Sequence, residues 1–202
     1  MSFPPLVPVV LEGSAVRLEP LTLAHLDPLC AIGLDPSIWT WMPKPVTTRD
    51  EMRTWIETAL ARQEAGEALP FAIVERSSGA VAGSTRFMEV SPPNRRLEIG
   101  WTWLGKAWQR TAVNTGAKYL LLRHAFETLG ATRVEFKTDA LNTASRRALA
   151  RIGAHEEGTL RSHMVTASGR VRDSVYFSVI AAEWPDVKVA LGARLSAPSP
   201  SR

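Results

Sequence analysis

The chain has little of what secreted and membrane proteins depend on. Of 202 residues only Cys30 is a cysteine, which excludes an intramolecular disulfide and fits a reducing, cytoplasmic location. No apolar run approaches the roughly 18 residues that a membrane-spanning helix needs. The N-terminal stretch MSFPPLVPVVLEG has no basic region and is interrupted by prolines, so it lacks the pattern of a signal peptide. These absences favour a globular cytoplasmic protein without a membrane partner.

Metal-binding patterns and clustered cations are also scarce. The four histidines have no ligand spacing with the lone cysteine, so no metal site is expected. The net charge is +4 and the pI is about 9.6, which suits a polyanionic ligand such as a cofactor or a nucleic acid. However, no run of lysine and arginine exceeds two residues. Scattered cations are typical of a solvated surface, so no nucleic-acid partner is expected.

What is present is the residue mixture of a globular α/β protein. Hydrophobic residues make up 45% and charged residues 22% of the chain, which are ordinary proportions. The hydrophobic patterns predict the order strand, two helices, three antiparallel strands, helix, strand, helix, two strands and helix. This order is typical of a mixed α/β sheet with a central β-α-β unit and helices on both faces.

The sequence predicts one main domain with short appendages. Residues 1–13 are expected to form an extended lead-in, residues 14–182 the folded domain, and residues 183–195 a C-terminal helix. Proline in the first turn of that last helix is tolerated. Residues 196–202 are rich in serine and proline, and we expect them to be disordered.

Short signals predict several helix boundaries. Thr48 and Glu51 have the spacing of a capping box at the start of a helix. Gly130 follows an apolar stripe over residues 112–129, which indicates a helix with a glycine C-cap. Asn142 precedes a short helical pattern, where its side chain can act as the N-cap.

The strongest local signal for function lies between Arg96 and Phe126. A strand-like apolar run over residues 97–104 leads through a short loop into an amphipathic helix, and residues 109–116 are mostly small or polar. The first N–H groups of a helix have no intrahelical partner, and the helix dipole adds positive potential there. Arg110 adds a full charge. The pattern predicts a pyrophosphate site, although an ordinary β-loop-α unit without a ligand has the same pattern.

Three segments together resemble one protein family. They are residues 98–114 (EIGWTWLGKAWQRTAVN), residues 138–154 (TDALNTASRRALARIGA) and the two ends of residues 157–178 (EGTLR and RDSVYFS). In this order and spacing they are similar to the GNAT superfamily of acetyl-CoA-dependent N-acetyltransferases. The branch is that of the ribosomal-protein N-terminal acetyltransferases (RimJ/RimL type), and the resemblance spans roughly residues 13–182.

The resemblance implies a GNAT-like fold and an acetyl-CoA site. The sheet would be mostly antiparallel, with splayed parallel strands at residues 98–104 and 134–138 and the pantetheine arm of the cofactor between them. The residues that the resemblance assigns to the cofactor lie on the first of these strands, on the loop and helix that follow it, and on the short helix beyond. They are Trp103, Leu104, Gln109, Arg110, Thr111, Ala112, Val113, Asn114, Gly116, Asn142 and Arg146.

The resemblance also implies two catalytic residues. Glu98 lies where some relatives place a general base, although it could instead pair with Arg95 or Arg96. Ser145 would lie near the sulfur as a proton donor, or it simply occupies the first turn of its helix. Many relatives have a tyrosine acid seven residues after the N-cap asparagine, whereas this chain has Leu149.

The acceptor site is expected on the first two helices, their loop and the final hairpin. A primary amine is the implied acceptor, either on a small molecule or at a peptide or protein N-terminus. An aminoglycoside is less favoured, because acidic side chains do not cluster on the loop. Tryptophans on that loop either form a substrate wall or pack under the second helix. The candidate substrate-binding residues are Trp39, Trp41, Phe87, Trp101, His163 and Tyr176.

The implied function is an N-acetyltransferase that acts by direct attack in a ternary complex. The alternative is a relative that binds an acyl-CoA without turnover. It is motivated by Ala112 and Asn114, which stand where the family's pyrophosphate loop usually has a glycine and a small residue, and by Leu149 in place of its tyrosine. A nucleic-acid-binding domain is a third alternative, motivated by the pI alone. A homodimer is compatible with the sequence, and the acceptor is not determined by it.

Overall fold

The computed structural model describes residues 3–197, and it contains each helix and strand expected from the sequence. The strands are β1 (Leu11–Glu12), β2 (Val16–Pro20), β3 (Leu69–Glu75), β4 (Val81–Ser91), β5 (Arg96–Leu104), β6 (Arg133–Asp139), β7 (His155–Val165) and β8 (Val171–Ile180). The α-helices are α1 (Leu26–Gly33), α2 (Arg49–Glu64), α3 (Ala112–Arg123), α4 (Thr143–Arg151) and α5 (Trp184–Ser196). The tail expected to be disordered begins at the end of α5, and its residues 198–202 lie outside the described part.

The eight strands of residues 3–197 form one sheet in the order β1-β2-β3-β4-β5-β6-β8-β7. Neighbouring strands are antiparallel except for β5 and β6, which are parallel. A parallel pair needs a long crossover, and α3 supplies it between these two strands. The expected mixed, mostly antiparallel sheet with a central β-α-β unit is therefore confirmed.

Helices cover both faces of the sheet. On β3, Phe71 and Ile73 belong to a core that also contains side chains of α3 and α5, whereas Ala72 between them belongs to a second core with α1 and α2. This alternation is the period of two that a strand imposes on its side chains. The second core is rich in tryptophan, with Trp39, Trp55 and Trp103 in mutual contact.

Local capping fixes the ends of two helical segments. Thr48 Oγ1 accepts a hydrogen bond from the Glu51 N–H at 3.2 Å, and the Glu51 carboxylate accepts the Thr48 N–H at 3.1 Å, so the predicted capping box of α2 is present. Gly130 has a φ of +69°, which glycine adopts without strain at a helix C-terminus.

The structure adds two features that the sequence pattern does not predict. β1 is a short edge strand within the expected lead-in, where Leu11 pairs with Leu18. The helix expected over residues 112–129 ends as α3 at Arg123 and continues as a π-helical turn over His124–Thr128. None of the helices within residues 3–197 is long and apolar enough to span a bilayer.

Candidate active site

β5 and β6 are hydrogen-bonded to each other where both strands begin, and they separate toward their C-terminal ends. Their pairing begins at Arg96 and Arg133 and ends at Glu98 and Glu135, although both strands continue beyond this point. A cavity of about 830 Å³ is lined by the parted ends of both strands together with α2, α3 and α4. The splayed parallel strands implied by the resemblance are therefore present.

A β-bulge bends β5 where it leaves β6. The register between β4 and β5 shifts between Ser84 and Arg86, and Trp101 on the opposite strand has a φ of +50°. A bulge increases the local twist and redirects side chains. As a result, the segment from Trp101 to Leu104 lines the cavity.

Trp103 and Leu104, predicted to meet the pantetheine arm, form one wall of this gap. Beyond Glu98 the side of β5 that faces β6 has no strand partner within residues 3–197, so its backbone groups can pair with an extended ligand. The Leu104 carbonyl oxygen accepts a hydrogen bond from Gln109 Nε2 at 3.1 Å. Gln109 therefore ties the end of the strand to the loop that follows.

The loop before α3 has the geometry expected of an anion site. Arg110 is exposed and has a φ of +62°, and Thr111 is the N-cap of α3. Thr111 Oγ1 accepts the Val113 N–H at 3.3 Å and donates to the Trp108 carbonyl oxygen at 2.7 Å. The other N–H groups of this first turn have no intrahelical acceptor, and both the dipole and Arg110 favour an anion there. The exposed Ala112 opens the helix.

Two residues predicted for the pyrophosphate face away from the cavity. Val113 is buried in the core, and its N–H already has a partner. A Cβ on Gly116 would lie 3.2 Å from atoms of Ala15 and Val16, so this glycine lets α3 pack closely against β2. Their predicted role as phosphate ligands is corrected for that reason. Asn114, on the other side of the helix, lines the cavity.

The start of α4 brings two predicted residues to the cavity. Asn142 Oδ1 accepts the Ser145 N–H at 3.0 Å, which is the capping interpretation, and both residues also line the cavity. Arg146 does not line it. Its guanidinium lies 3.1 Å from the Glu156 carboxylate in an exposed ion pair, and its approach to the nucleotide stays a prediction.

Glu98 is a buried carboxylate on the cavity wall. It is 4% exposed, and Lys137 Nζ lies 3.5 Å from its Oε2. Burial raises the pKa of Glu98, and the nearby ammonium of Lys137 opposes that rise. Arg96 instead binds Glu135 at 2.8 Å. Among the described residues the ion-pair partner of Glu98 is thus Lys137, not Arg95 or Arg96.

The predicted aromatic wall of the acceptor site is only partly present. Trp41 and Trp101 line the cavity. Trp39 does not, because it is 2% exposed, packs against Trp55 of α2 and donates its Nε1–H to the Gly33 carbonyl oxygen at 2.6 Å. Trp39 is therefore corrected from a substrate-binding residue to a core residue under α2, which is the other interpretation of the tryptophan loop.

Three other predicted substrate residues lie outside the cavity lining. Phe87 is fully buried and packs against Phe71 and His124 in the core. His163 and Tyr176 pack edge to face against each other on the final hairpin, with ring centroids 5.9 Å apart. The full burial of Phe87 corrects its predicted contact with substrate. His163 and Tyr176 do not line this cavity, and their contact with substrate stays a prediction.

Lys118 of α3 is a cavity residue that the sequence pattern did not predict. It is 4% exposed, and Nζ donates to Thr102 Oγ1 at 2.6 Å. Nζ also lies 5.7 Å from the centroid of the Phe136 ring. Burial lowers the pKa of Lys118 to about 7. Its spacing of four residues from Asn114, which puts both on one helix face, is the signal that could have identified it.

Arg86 of β4 is a second cavity residue without a sequence prediction. It is 4% exposed and lies beside Trp55 and Trp101. Its only sequence signal is that a cation interrupts the otherwise neutral run of residues 81–88 in this strand.

The cavity has the features that an extended acyl-CoA ligand needs. It combines backbone without a strand partner on β5, the N-terminus of α3 at one end, and a buried carboxylate with polar neighbours at the point where the strands part. Backbone edges bind amide-bearing chains, helix N-termini bind phosphates, and a carboxylate of raised pKa can take up a proton. The residues present therefore fit such a donor.

A comparison with protein-family models shows which family the chain belongs to. The model of the acetyltransferase (GNAT) domain matches residues 15–155, which is more than half of the chain. The protein belongs to the GNAT acetyltransferase family and is an acetyltransferase, so the family prediction is confirmed.

Individual relatives agree with this assignment. An uncharacterized N-acetyltransferase, p20, of Bacillus licheniformis is 29% identical over 170 residues, which cover 84% of this chain and 94% of p20. The crystal structure of a GCN5-related N-acetyltransferase from Brucella melitensis has a TM-score of 0.89 and 37% identity, covering 96% of this chain and 88% of that one.

A second solved structure has the same fold. Mycobacterium smegmatis RimJ in complex with CoA-disulfide has a TM-score of 0.80 and 23% identity, with 96% of both chains covered. The chain thus shares its fold with a RimJ protein.

Proposed function

We propose that the protein is an acetyl-CoA-dependent N-acetyltransferase that acetylates a primary amine by direct attack, with both substrates bound together. The observation that carries the proposal is Glu98, a buried carboxylate on the cavity wall at the last paired position of β5 and β6. The structural relative RimJ is in complex with CoA-disulfide, which supports the choice of donor.

Residues of the parted strands and of α3 would hold acetyl-CoA, which supplies an activated acetyl thioester. The backbone of Trp103 and Leu104 would pair with its amide-bearing arm, as a strand edge does. The first turn of α3, with Arg110 and Asn114, would hold its pyrophosphate. The side chain of Asn142 caps α4 through Oδ1, which leaves its amide NH₂ as the donor.

Glu98 is the proposed general base. An amine attacks only when neutral, so a proton must leave it, and a carboxylate of raised pKa is suited to accept that proton. The space beside the carboxylate is open because residue 100 is a glycine: a Cβ there would lie 3.0 Å from Glu98 Oε1 and 2.6 Å from Met88 Sδ. Lys137 stabilises the carboxylate form.

Ser145 is the proposed proton donor to the leaving thiolate. Leu149, 7% exposed, fills the cavity wall at the position where many relatives have a tyrosine, and neither of the two tyrosines of the chain lines the cavity. The Ser145 hydroxyl is a remaining donor on α4, because only its backbone N–H is used by the Asn142 cap.

Acetyl-CoA titration followed by a thiol-release assay against peptides and small amines tests the proposal. As the pH falls through the raised pKa of Glu98, the carboxylate becomes protonated and can no longer accept a proton from the amine. The rate of acetyl transfer should therefore fall in the same pH range. Glu98→Gln should lower kcat by about 100-fold or more, remove this pH dependence and retain acetyl-CoA binding. Glu57→Gln, on the exposed surface of α2, is the matched control and should behave as the wild type.

The second candidate function is an acyl-CoA-binding protein without turnover, which the leucine at position 149 favours. Acetyl-CoA binding without thiol release from any amine would support it over the enzyme. Failure to bind acetyl-CoA at millimolar concentration would contradict both.

A further inference from the structure

Arg86 of β4 is a buried guanidinium held on the cavity wall. Its Cζ lies 5.0 Å from the ring centroid of Trp55 on α2 and 5.0 Å from that of Trp101 in the β5 bulge. Contacts of a guanidinium with two aromatic rings hold its plane and direct its donors. Since Arg86 lines the cavity, the open side of this arrangement faces the space available to a substrate.

No carboxylate of residues 3–197 neutralises Arg86. Its Nε is buried without a hydrogen-bond partner. Burial lowers the pKa of Arg86 to about 10, with a smaller contribution from the cation Arg62, so the group stays charged at neutral pH. A buried charge without a counter-ion is unfavourable, and a ligand anion would remove that cost.

The acidic side chains along the cavity are either engaged or at its exposed rim. Glu98 pairs with Lys137 and Asp139 with Arg170, while Glu51 caps α2. Asp50 and Glu89 are exposed. The carboxylates that line the cavity therefore leave Arg86 without a counter-ion.

Arg86 and Glu98 lie diagonally across β4 and β5. Arg86 pairs with Gly100, and Met88 pairs with Glu98. The two charged residues thus lie on the same face of the sheet, and such diagonal neighbours are about 7–8 Å apart at their Cα atoms. A molecule of amino-acid size can direct its amine toward one and its carboxylate toward the other.

We propose that the acetyl acceptor carries a carboxylate, which binds Arg86 while the amine faces Glu98. Guanidinium and carboxylate match in shape and bond through two parallel hydrogen bonds. The carboxylate belongs either to a free amino acid or to an acidic first residue of a peptide. The inference rests on the proposed function, and it narrows the acceptor from any primary amine to acid-bearing ones.

Paired acceptors test this inference in the full-length protein with acetyl-CoA. One arm compares amino acids with their α-carboxamides, and the other compares peptide amides that begin with aspartate or with asparagine. The wild type should prefer the acid in one arm, which identifies the source of the carboxylate. Arg86→Met should lower kcat/KM for the preferred acid by roughly 30- to 1000-fold and change that of its neutral partner by less than about fivefold.

Two further variants complete the design. Arg86→Lys keeps the charge but loses the planar pair of donors, so an intermediate loss is expected. Arg53→Met, which makes the same chemical change on α2 away from the cavity lining, should leave the preference unchanged. Equal rates for acids and neutral partners in the wild type, or an equal loss of both in Arg86→Met, would overturn the inference.

A binding measurement separates failure of this inference from failure of the proposed function. The melting temperature is recorded for wild type and Arg86→Met with the same acids and neutral partners in the absence of acetyl-CoA. Stabilisation by an acid that Arg86→Met abolishes supports the inference even if no amine is acetylated. If no acid stabilises either the wild type or Arg86→Met, and the wild type shows no kinetic preference for acids over their neutral partners, the inference is wrong.

Discussion

Lys118→Met is expected to stabilise the protein, because Lys118 is a charged group that is buried away from water. The lysine is 4% exposed and has the Thr102 hydroxyl as its hydrogen-bond partner, with no carboxylate paired to it in the described part of the chain. Methionine is unbranched and of similar length, so it can occupy the same channel between β5 and α3 without a charge.

The size of the effect follows from the pKa of Lys118. Burial lowers that pKa from 10.5 to about 7, and each pKa unit corresponds to 1.36 kcal/mol, so keeping the amine charged costs about 5 kcal/mol. Loss of the hydrogen bond from the charged amine to Thr102 lowers this gain by about 2 kcal/mol. Below pH 7 the variant should therefore exceed the wild type by about 3 kcal/mol in free energy of unfolding.

The sign of the pH dependence is fixed by proton binding. Between pH 7 and pH 10.5 the unfolded chain keeps the Lys118 proton that the folded protein has released, so the free energy of unfolding of the wild type rises with pH in this range. Lys118→Met lacks that rise. The advantage of the variant should accordingly shrink as the pH increases and be close to zero near pH 10.

Urea unfolding of both proteins at pH values from about 6 to 10 measures this difference by linear extrapolation. Lys188→Met is the control, because Lys188 is 41% exposed and a surface lysine contributes little. A wild-type-to-variant difference that stays constant over this pH range would refute the reasoning. It would mean that water reaches Lys118 in the folded protein.

Two further substitutions test the framework of the site. Gly83→Ala should lower the free energy of unfolding by about 1–3 kcal/mol and weaken acetyl-CoA binding in a titration, because its Cβ would lie 2.0 Å from the Trp103 carbonyl oxygen. Gly192→Ala in α5 is the control, because nothing lies within 4 Å of its Cβ and the backbone there is helical; an equal loss in that variant would contradict this reason. Thr48→Ala should cost about 1 kcal/mol in urea unfolding, since it removes the cap of α2; no loss would mean that the cap does not stabilise the helix.

Most of the fold could be predicted because its signals are local. The capping box at Thr48, the glycine at the end of the α3 region and the asparagine before α4 each act within one turn of chain. The alternation of β3 and the order of elements then leave few ways to build the sheet. The π-helical turn at His124–Thr128 was not predictable, because it depends on how that turn packs rather than on its own residues.

Sequence reasoning found the site residues whose place follows from their position along a strand or at a helix cap. It missed the residues whose place depends on which face of a strand or helix points to the cavity. Glu98, Trp103 and Asn142 line the cavity as expected, since the parting strands and the α4 cap place them there. The neighbours Arg86 and Phe87 show the limit. Alternation puts them on opposite faces of β4, but the pattern does not say which face has the cavity.

The helix α3 shows the same limit. Asn114 and Lys118 line the cavity, whereas Gly116 between them packs against β2. A helical period groups the first two together, yet the rotation of the helix about its axis is set by its contacts with the sheet. For this reason a glycine suited to phosphate binding proved to be a packing residue, and a lysine on the helix proved to be buried.

The sequence by itself determined the order of elements, their caps and the family, because these depend on contacts within a few residues and on motifs read in order. Tertiary structure alone decided the parting of β5 from β6, the burial of Glu98 and Lys118, and the unpaired charge of Arg86. The physical reason is that burial and charge pairing depend on segments far apart in the chain: the groups that desolvate or neutralise a side chain come from other strands and helices.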